Sequence, residues 1–591
     1  MRRVAGGLPH GFTAVCWILS LLTMSIAVEC GPVSASGALG STSSDLSENS
    51  AHPDHRLGNV LLESLGSREA VFSRMPQASV PSIDFDRWYT LELQGSHAGW
   101  AHAVQTTTAG SVSTKLTQHL QIRRAGQTVM LESESEFVES AGGQPVSLTI
   151  VESLAAQPTT TAYLYTEQGI SRIVTQGTNG TRRSSTYPPI KGTWLTPAAA
   201  SVFVAQRLAA GATEIAVRTV ELGAGPDPVL ITRKVIEKTQ AQSLGKALPA
   251  YKVAVSSSRQ GAATSTELID ERGAIIRSVI RMGQLQLTMT LTTAADAQSR
   301  IDPPELLGTM LVKANRAIAQ PRQATKATYI LKRRGASSTN DGRPTSPPPP
   351  SPDSPGTTPT PARPDLPVEP SLASRVCTTS IQAIQEIDEN SVRVIISTNN
   401  PSPAPEADLN DPQYLRSSAY IGSDDAEVQR LARQVAPRAA DNQATKAESV
   451  RRFVYDYIVQ KDLGVGFATA AEVAQAKSGD CTEHAVLVAA MLRSLKIPSR
   501  VVSGLVYVDA VGMDKHVFAY HMWTQGLIER NGVSHWVDLD ATLPPGRACD
   551  ATHIALLTSP LNDDQPQESL VKLVPLLGGL SVEVVSVGLG R

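Results

Sequence analysis

Short runs in which apolar and polar residues alternate fill the chain between about residues 83 and 300. Trp88 to Leu93 alternates, and Leu285 to Thr293 repeats the pattern near the other end of this region. Gly, Asn or Asp separate most of the runs. Alternation with a period of two, broken by turn residues, predicts an antiparallel sheet or a half-open barrel. One helix is expected near Ala198 to Ala210, after a proline and before a glycine.

The composition of the chain changes after this region. Residues 334–372 contain the sequence TSPPPPSPDSPGTTPTPARPDLPVEP, which cannot build a core and predicts a disordered, extended linker. Beyond it, Asp424 to Val435 and Lys446 to Gln460 place apolar residues three or four apart, which predicts helices. We therefore expect a multidomain chain, with a mostly antiparallel β domain over 81–333, the linker, and an α+β domain over 373–591.

The N-terminus has the layout of a secretory signal peptide. Two arginines precede an apolar run from Phe12 to Val28, and small residues follow around Ala35. This arrangement predicts a signal peptide over 1–35, followed by a flexible lead-in over 36–80. The apolar run is borderline long enough to span a membrane, so an uncleaved segment would anchor the protein. Either form places the bulk of the chain outside the cytoplasm, in the periplasm or the medium.

The charge balance excludes one class of partner. Among 591 residues, Lys+Arg is 53 and Asp+Glu is 55, which gives a net charge of −2. A chain without a basic excess has little to neutralise phosphates, so we expect no nucleic-acid partner. Five cysteines in a chain of this length do not make a disulfide-rich scaffold. The sequence carries no indication of oligomeric state.

One cysteine stands where a helix is predicted to begin. Gly479 and Asp480 precede Cys481, and the apolar-faced run that follows ends near Leu495, before Pro498. A helix N-terminus favours an anion, and therefore the thiolate. The backbone N–H of the same residue is available to hold an oxyanion. The Asp480 carboxylate opposes a second negative charge, so the helix alone cannot activate the thiol and a base is needed.

A base is available on the strands that follow. Three strands are predicted, over Arg500 to Tyr507, Val517 to Trp523 and His535 to Leu539. His521 lies on the second, and Asp540 directly follows the third. On adjacent antiparallel strands these two side chains can face each other, so that the carboxylate holds the imidazole and the imidazole pairs with the thiolate.

These residues together resemble the transglutaminase-like superfamily, in the form of the bacterial exported cysteine peptidases. The resemblance covers roughly 410–560. It implies a papain-like fold in which Cys481 is the nucleophile, His521 the general base and acid, and Asp540 the orienting group. The motifs that carry it are Gly479 with Cys481, Ile497-Pro498-Ser499-Arg500, His521 with Trp523, and Trp536 with Asp540-Ala541-Thr542.

The chain departs from the family pattern at two positions. Ala541 stands where the family usually has proline after the aspartate, and Gln525 stands where an acidic residue is often found. Neither position belongs to the triad, so these departures bear on substrate contacts more than on the chemistry.

The resemblance implies a thiol acyl-transfer enzyme that acts on peptide or side-chain amides. Water as acyl acceptor would make it a protease or amidase, and an amine would make it a protein cross-linker. We expect a peptide or protein substrate, and neither a cofactor nor a metal, calcium included. The alternative is a catalytically retired scaffold whose β-rich half binds a ligand or an envelope partner.

Nearby residues offer rival assignments. His484 lies one turn along the same helix as the cysteine, where packing or capping is expected. His516 lies five residues before His521 and so faces the other side of a regular strand. Asp538 alternates with Asp540 and points the same way, and the motif favours Asp540.

The remaining cysteines do not suggest a metal site. No second Cys or His pair stands at ligand spacing around Cys481. Cys377 and Cys549 flank the C-terminal domain and could pair as a disulfide outside the cytoplasm.

Overall fold

The computed structural model describes residues 82–590, apart from the segments 155–156, 177–181, 260–263, 283, 307, 309–310, 335–369, 436–441, 461–463, 465 and 564–572. The predicted signal peptide, the lead-in and most of the predicted linker lie outside the described residues. Across the described ranges, no helix has both the length and the apolar character needed to cross a membrane.

In the described part of the N-terminal half, fourteen strands form one antiparallel sheet. The strands are β1 (Ser82–Leu93), β2 (Ser96–Thr107), β3 (Ser111–Arg124), β4 (Gln127–Ser140), β5 (Pro145–Ser153), β6 (Thr159–Thr166), β7 (Gly169–Gln176), β8 (Arg182–Tyr187), β9 (Glu214–Thr219), β10 (Val229–Ser243), β11 (Lys246–Ser257), β12 (Ser265–Asp270), β13 (Ile275–Met282) and β14 (Leu285–Thr292). Their order is β8-β7-β6-β5-β4-β3-β2-β1-β14-β13-β12-β11-β10-β9.

The sheet curls around one helix. Helix α1 (Pro197–Ala209) contacts both β3 and β9, which stand sixth and fourteenth in the strand order. In a flat sheet, eight strand spacings would separate these strands by about 38 Å, whereas a helix with its side chains is about 10–12 Å across. The sheet is therefore strongly curved, which corresponds to the half-open barrel, one of the two forms that the alternating pattern left open. Val204 and Leu208 of α1 are buried in the core that the sheet encloses.

The C-terminal part contains two smaller antiparallel sheets. Their strands are β15 (Val312–Lys313), β16 (Ala324–Arg333), β17 (Gln382–Asp388), β18 (Ser391–Ser397), β19 (Ser499–Val511), β20 (Asp514–Arg530), β21 (Val533–Leu539), β22 (His553–Ser559) and β23 (Leu580–Leu589). One sheet has the order β15-β20-β19-β22, with β21 paired to β20, and the other has the order β17-β18-β16-β23.

The remaining helices divide between the two parts of the chain: the first packs on β1 and β2 of the N-terminal sheet, and the others lie in the C-terminal part. They are α2 (Ala294–Ala297), α3 (Glu406–Leu409), α4 (Ala426–Val435), α5 (Gln443–Tyr457), α6 (Ala470–Ala476) and α7 (Cys481–Ser494), with 3-10 turns at Pro321–Gln323, Leu372–Arg375, Pro412–Tyr414 and Val574–Leu576.

Helix α7 is the centre of the C-terminal fold. It packs on β19 and β20 on one side and on α4, α5 and α6 on the others. Its residues from Cys481 to Arg493 are all buried, which exceeds the single apolar face expected from its sequence. A helix buried on every side is held in place from every side, so its first residue occupies a defined position.

The structure differs from the sequence prediction in the assignment of two strands. Residues 312–333 were expected to belong to the N-terminal β domain. Strand β15 instead pairs with β20, and β16 pairs with β18 and β23. Their alternation predicts strands correctly, but a period of two does not specify the partner strand. The chain thus enters the C-terminal sheets before it reaches the linker.

We expect Gly504→Ala to destabilise the C-terminal part by about 1–3 kcal/mol, a typical cost of overpacking a core. A Cβ at Gly504, in the middle of β19, would lie 2.2 Å from the Ile554 carbonyl oxygen and 2.7 Å from the Trp523 ring. Denaturant unfolding measures the change. Gly110→Ala is the matched control, because nothing lies within 4 Å of its Cβ position. Equal unfolding free energies for the two variants would contradict this packing.

Candidate active site

The first turn of α7 is built around Asp480. Its side chain accepts a hydrogen bond from the Thr482 N–H at 2.8 Å, and the Glu483 carboxylate accepts from the Asp480 N–H at 2.8 Å, which completes a capping box. Gly479 has φ +145°, and a Cβ there would lie 2.3 Å from the Glu483 side chain. Cys481 therefore occupies the first helical position, as predicted, where a backbone N–H has no intrahelical acceptor.

Strand β20 brings His521 to the aspartate predicted for it. Strands β20 and β21 pair antiparallel, and the chain reaches Asp540 directly after β21 ends at Leu539. His521 Nε2 lies 2.8 Å from Asp540 Oδ2, and both side chains are buried. Because the carboxylate accepts from Nε2, the other ring nitrogen, Nδ1, is the one left to exchange a proton with a reactant.

Cys481 lies against the backbone of the same strand. The N–H of Met522, the residue after His521, donates to the cysteine sulfur. One turn further along α7, the Thr524 hydroxyl donates to the Ala485 carbonyl at 2.7 Å. These contacts align the start of α7 with the segment of β20 that carries the histidine. The three residues singled out from the sequence thus converge on one buried region.

The electrostatics of the thiol add burial to the two influences expected from the sequence. The sequence analysis expected the helix N-terminus to favour the thiolate and the Asp480 carboxylate to oppose it. Burial is instead the largest influence and raises the pKa of Cys481 well above its ordinary value. The Asp480 carboxylate raises it further, the Met522 N–H acts in the opposite direction, and Glu483 and Asp540 add to the increase. Helix position cannot offset complete burial beside several acidic groups, so the resting group is a neutral thiol.

Asp540 has a partner for each side of its carboxylate. Oδ1 accepts from the Thr542 N–H at 2.8 Å and from its hydroxyl at 2.7 Å. Oδ2 faces His521 and also His553, whose Nε2 is 3.3 Å away. Burial alone would raise the pKa of Asp540, but the charge and hydrogen bond of His521 and the hydrogen bond of His553 hold it well below its usual range. The carboxylate is therefore a fixed anion.

His553 extends this network away from the thiol. Its Nδ1 lies 3.5 Å from an Asp550 carboxylate oxygen, and Asp550 forms an ion pair with Arg322 at 2.8 Å. Burial opposes the charged imidazole, yet the carboxylates of Asp550 and Asp540 raise the pKa of His553 to about 9. The result is a chain of alternating charges that runs from the buried Asp540 through His553 and Asp550 to the half-buried Arg322.

The donor atoms of His521, Asp540 and His553 lie within 4.8 Å of one another, a spacing that a metal ion could bridge. The hydrogen bonds from each imidazole to Asp540 account for this cluster as an acid–base network. A metal bound there would occupy the nitrogen atoms that now donate to the carboxylate, and a protonated His553 would first have to lose its proton.

The rival histidines have other roles. His484 is buried with Nδ1 2.5 Å from the Asp480 carbonyl oxygen, which agrees with the expected packing or capping role. His516 has φ +55° and Nδ1 3.0 Å from the Tyr507 hydroxyl. Neither is bonded to Asp540 in the described residues, where both imidazole partners of that carboxylate are His521 and His553.

The rival carboxylate, Asp538, binds other side chains. Asp538 Oδ1 accepts from the Trp523 indole N–H at 2.6 Å and from the Gln525 amide at 2.8 Å. The Gln525 oxygen in turn accepts from Arg500 at 2.9 Å, so the departure from the family pattern has a structural use.

Cys377 and Cys549 pack against one small apolar cluster and are both free thiols, so the disulfide considered from the sequence is not formed.

Sequence reasoning missed two members of this region. Glu483 could have been found, since an Asp and a Glu three residues apart before an apolar run are the signature of a capping box. His553 carries no local signal. It reaches Asp540 because β22 returns beside β19, and a single sequence does not reveal that return.

We expect the alkylation rate of Cys481 by iodoacetamide to keep rising with pH above 8.5, because a buried thiol beside carboxylates ionises late. Peptide-level mass spectrometry separates Cys481 from the other thiols, and Cys481→Ala is the blank. A rate that reaches its plateau below pH 7 would mean a preformed thiolate and would contradict this electrostatic description.

We also expect His553→Gln to destabilise the protein most at low pH. The folded-state pKa of His553, about 9, lies above its ordinary 6.5, so its protonation contributes stability that is fully present below pH 6.5 and is lost as the pH rises to 9. The measurement is the free energy of unfolding of the wild type minus that of the variant at several pH values. A difference that does not narrow between pH 6.5 and 9 would contradict the buried imidazolium.

Comparisons with known proteins agree with this geometry over part of the chain. Residues 429–541 match the family model described as the transglutaminase-like superfamily. The match lies inside the predicted 410–560 and includes Cys481, His521 and Asp540. No curated protein is matched by the chain.

Several solved structures are partly similar. A beta-barrel-like protein of a domain of unknown function from Brucella abortus has 12% identity and a TM-score of 0.27, over 35% of this chain and 95% of its own. A candidate cysteine protease from Cytophaga hutchinsonii has 14% identity and a TM-score of 0.23, over 45% of this chain and 86% of its own. The periplasmic domain of TgpA from Pseudomonas aeruginosa has 14% identity and a TM-score of 0.22, over 39% of this chain and 88% of its own.

The family match and the motifs of α7, β20 and β21 fall on the same residues. The C-terminal part of this chain therefore contains a transglutaminase-like domain, matched to the family model over residues 429–541.

Proposed function

We propose that this protein is an exported thiol acyl-transfer enzyme with Cys481 as nucleophile, His521 as general base and acid, and Asp540 as the group that orients the histidine. The observation that carries the proposal is the buried hydrogen bond of 2.8 Å between His521 and Asp540. It lies on the strand whose next backbone N–H contacts the Cys481 sulfur. A nucleophile, a base and an orienting carboxylate in this order are the minimum set for amide acyl transfer.

The proposed reaction starts from the neutral thiol. His521 takes the thiol proton through Nδ1 as the sulfur attacks the carbonyl carbon of an amide. The Cys481 N–H donates to the oxyanion that forms. His521 then gives its proton to the leaving nitrogen, the C–N bond breaks, and a thioester remains.

The second half of the reaction repeats these roles. Water or an amine attacks the thioester carbonyl and gives a proton to His521, which returns it to the sulfur as the C–S bond breaks. Water yields a carboxylic acid and makes the enzyme a protease or amidase. A lysine amine yields a new amide and makes it a cross-linker. Because the thiol and imidazole end as they began, neither route needs a cofactor.

The proposed location rests on the N-terminal sequence. Two arginines, an apolar run to Val28 and small residues around Ala35 support export, either to the periplasm or to the medium. A retained apolar segment would anchor the enzyme on the outer side of the membrane that it crossed. The substrate would then be a peptide or protein outside the cytoplasm.

One observation favours a second candidate. Cys481 is 0% exposed, and its pKa is raised. A retired scaffold, whose β-rich half binds a ligand or an envelope partner, would have no need of an accessible or reactive thiol. The fully bonded Asp540 argues for the enzyme, since burying a charged network has a free-energy cost that a scaffold gains nothing from.

We expect Cys481→Ala and His521→Ala to abolish release of ammonia or amine from the substrates that the wild type accepts. Asp540→Asn should lower kcat by about ten-thousandfold, because the histidine loses its orienting anion. The assay is a screen of peptides and glutamine donors, with and without an added amine. Asp538→Asn is the matched control and should stay within about tenfold of the wild type, because that carboxylate binds Trp523 and Gln525.

Two results would overturn the assignment. If Asp538→Asn costs as much as Asp540→Asn, the orienting role is wrong. If the folded wild type turns over no amide in the screen, the scaffold is favoured and the N-terminal sheet becomes the place to search for a ligand.

A further inference from the structure

An arginine of the N-terminal sheet enters the first turn of the nucleophile helix. Arg124 is the last residue of β3, 356 positions before Asp480. Its Nη1 lies 3.1 Å from Asp480 Oδ2, and each side chain is only 1% exposed. A buried ion pair has a large desolvation cost, and removing one partner leaves the other charge uncompensated. This contact therefore couples the two halves of the chain at the residue next to Cys481.

A second contact from the same sheet reaches the other acidic residue of this turn. The Leu154 carbonyl, just after β5, accepts a hydrogen bond from the Phe467 N–H at 3.0 Å. The next N–H along, that of Ala468, donates to Glu483 Oε1 at 2.9 Å. The N-terminal sheet thus holds Asp480 directly and supports Glu483 through one short segment, so both members of the capping box depend on it.

The charges around the thiol give this contact a chemical consequence. The acidic groups that act on Cys481 are Asp480, Glu483 and Asp540, and the imidazole that serves it is His521 on β20. Burial and the neighbouring Asp480 raise the pKa of Glu483 well above its usual range. Of the acidic groups around the thiol, Asp480 is the nearest in sequence, and the guanidinium of Arg124 forms an ion pair with its carboxylate at 3.1 Å.

We propose that the N-terminal sheet is part of the active site and that Arg124 is a positioning residue for Cys481. Arg124 offsets part of the charge of the Asp480 carboxylate, so that this residue can cap α7 with less opposition to ionisation of the adjacent thiol. The inference rests on the proposed function for its importance in catalysis. It gives the β-rich half a role outside its own sheet, because a side chain of that sheet completes a catalytic centre in the other half.

The test uses two substitutions with opposite expected signs in the full chain. Asp480→Asn keeps an oxygen to cap α7 but removes the negative charge and leaves Arg124, so Cys481 should be alkylated about tenfold faster at a given pH. Arg124→Gln leaves Asp480 without its counter-charge, so alkylation should be about tenfold slower. Each tenfold change corresponds to about one unit in the thiol pKa.

The readout is the rate of Cys481 alkylation between pH 7 and pH 9, followed by peptide mass spectrometry. Below its pKa, a thiol reacts in proportion to its thiolate fraction, so rate ratios report pKa differences without reaching the midpoint. The double variant Arg124→Gln with Asp480→Asn should return to within about threefold of the wild type. Arg124→Lys, which keeps the charge, should do the same.

Arg183→Gln is the matched control. Arg183 also joins the N-terminal sheet to the C-terminal part, through an ion pair of 2.6 Å with Asp424, but it does not contact the capping box. Its loss should leave the Cys481 alkylation rate within about twofold of the wild type. If it slows alkylation as much as Arg124→Gln does, general docking of the two halves explains the effect and the specific role of Arg124 is wrong.

The remaining outcomes are also decisive. A merely structural ion pair would make both single variants change alkylation in the same direction, together with a lower melting temperature, and that result would overturn the proposal. Equal alkylation rates in all variants would do so as well. A thiol that responds to Arg124 and Asp480 as described, in a protein that turns over no amide, would remove the proposed function and leave this inference standing.

Discussion

The buried carboxylate of Asp480 holds together the parts of this molecule that chemistry would need. It caps α7 through the Thr482 N–H, and its own N–H is bound by Glu483. It also pairs with Arg124 from the N-terminal sheet at 3.1 Å. One side chain therefore sets where the helix begins, how Cys481 is presented and how the two halves meet. Such a group must stay fully bonded, because a buried charge without partners costs several kcal/mol.

A second buried carboxylate, Asp540, has a parallel role on the other side of the thiol. Thr542 and two histidines satisfy its four acceptor positions, so the carboxylate cannot rotate away from His521. Both aspartates raise the pKa of Cys481 by their charge, but only Asp540 also binds the proposed base. Asp480 opposes the thiolate directly, whereas Asp540 supports the imidazole that removes the proton. An enzyme with this arrangement ionises its nucleophile during attack on the substrate instead of holding a thiolate at rest.

Local pattern predicted much of the architecture. The alternating runs of the N-terminal half became strands of one antiparallel sheet, and the helix expected near Ala198 to Ala210 is α1. Glycine and Asp480 before an apolar run correctly placed the start of α7. Partner choice was the part that failed. Strands β15 and β16 look like the strands before them, yet they pair with β20, β18 and β23, because alternation encodes burial of one face and is silent about neighbours.

The sequence by itself determined which residues are the candidates for the chemistry, since Cys481, His521 and Asp540 stand at element boundaries and strand positions that short-range rules locate. Only the tertiary structure decided how those residues behave. The thiol pKa depends on burial, and the network through His553 depends on the return of β22 beside β19. The counter-charge at Asp480 comes from a strand 356 residues earlier. Electrostatic interactions act through space, so their partners cannot be inferred from spacing along the chain.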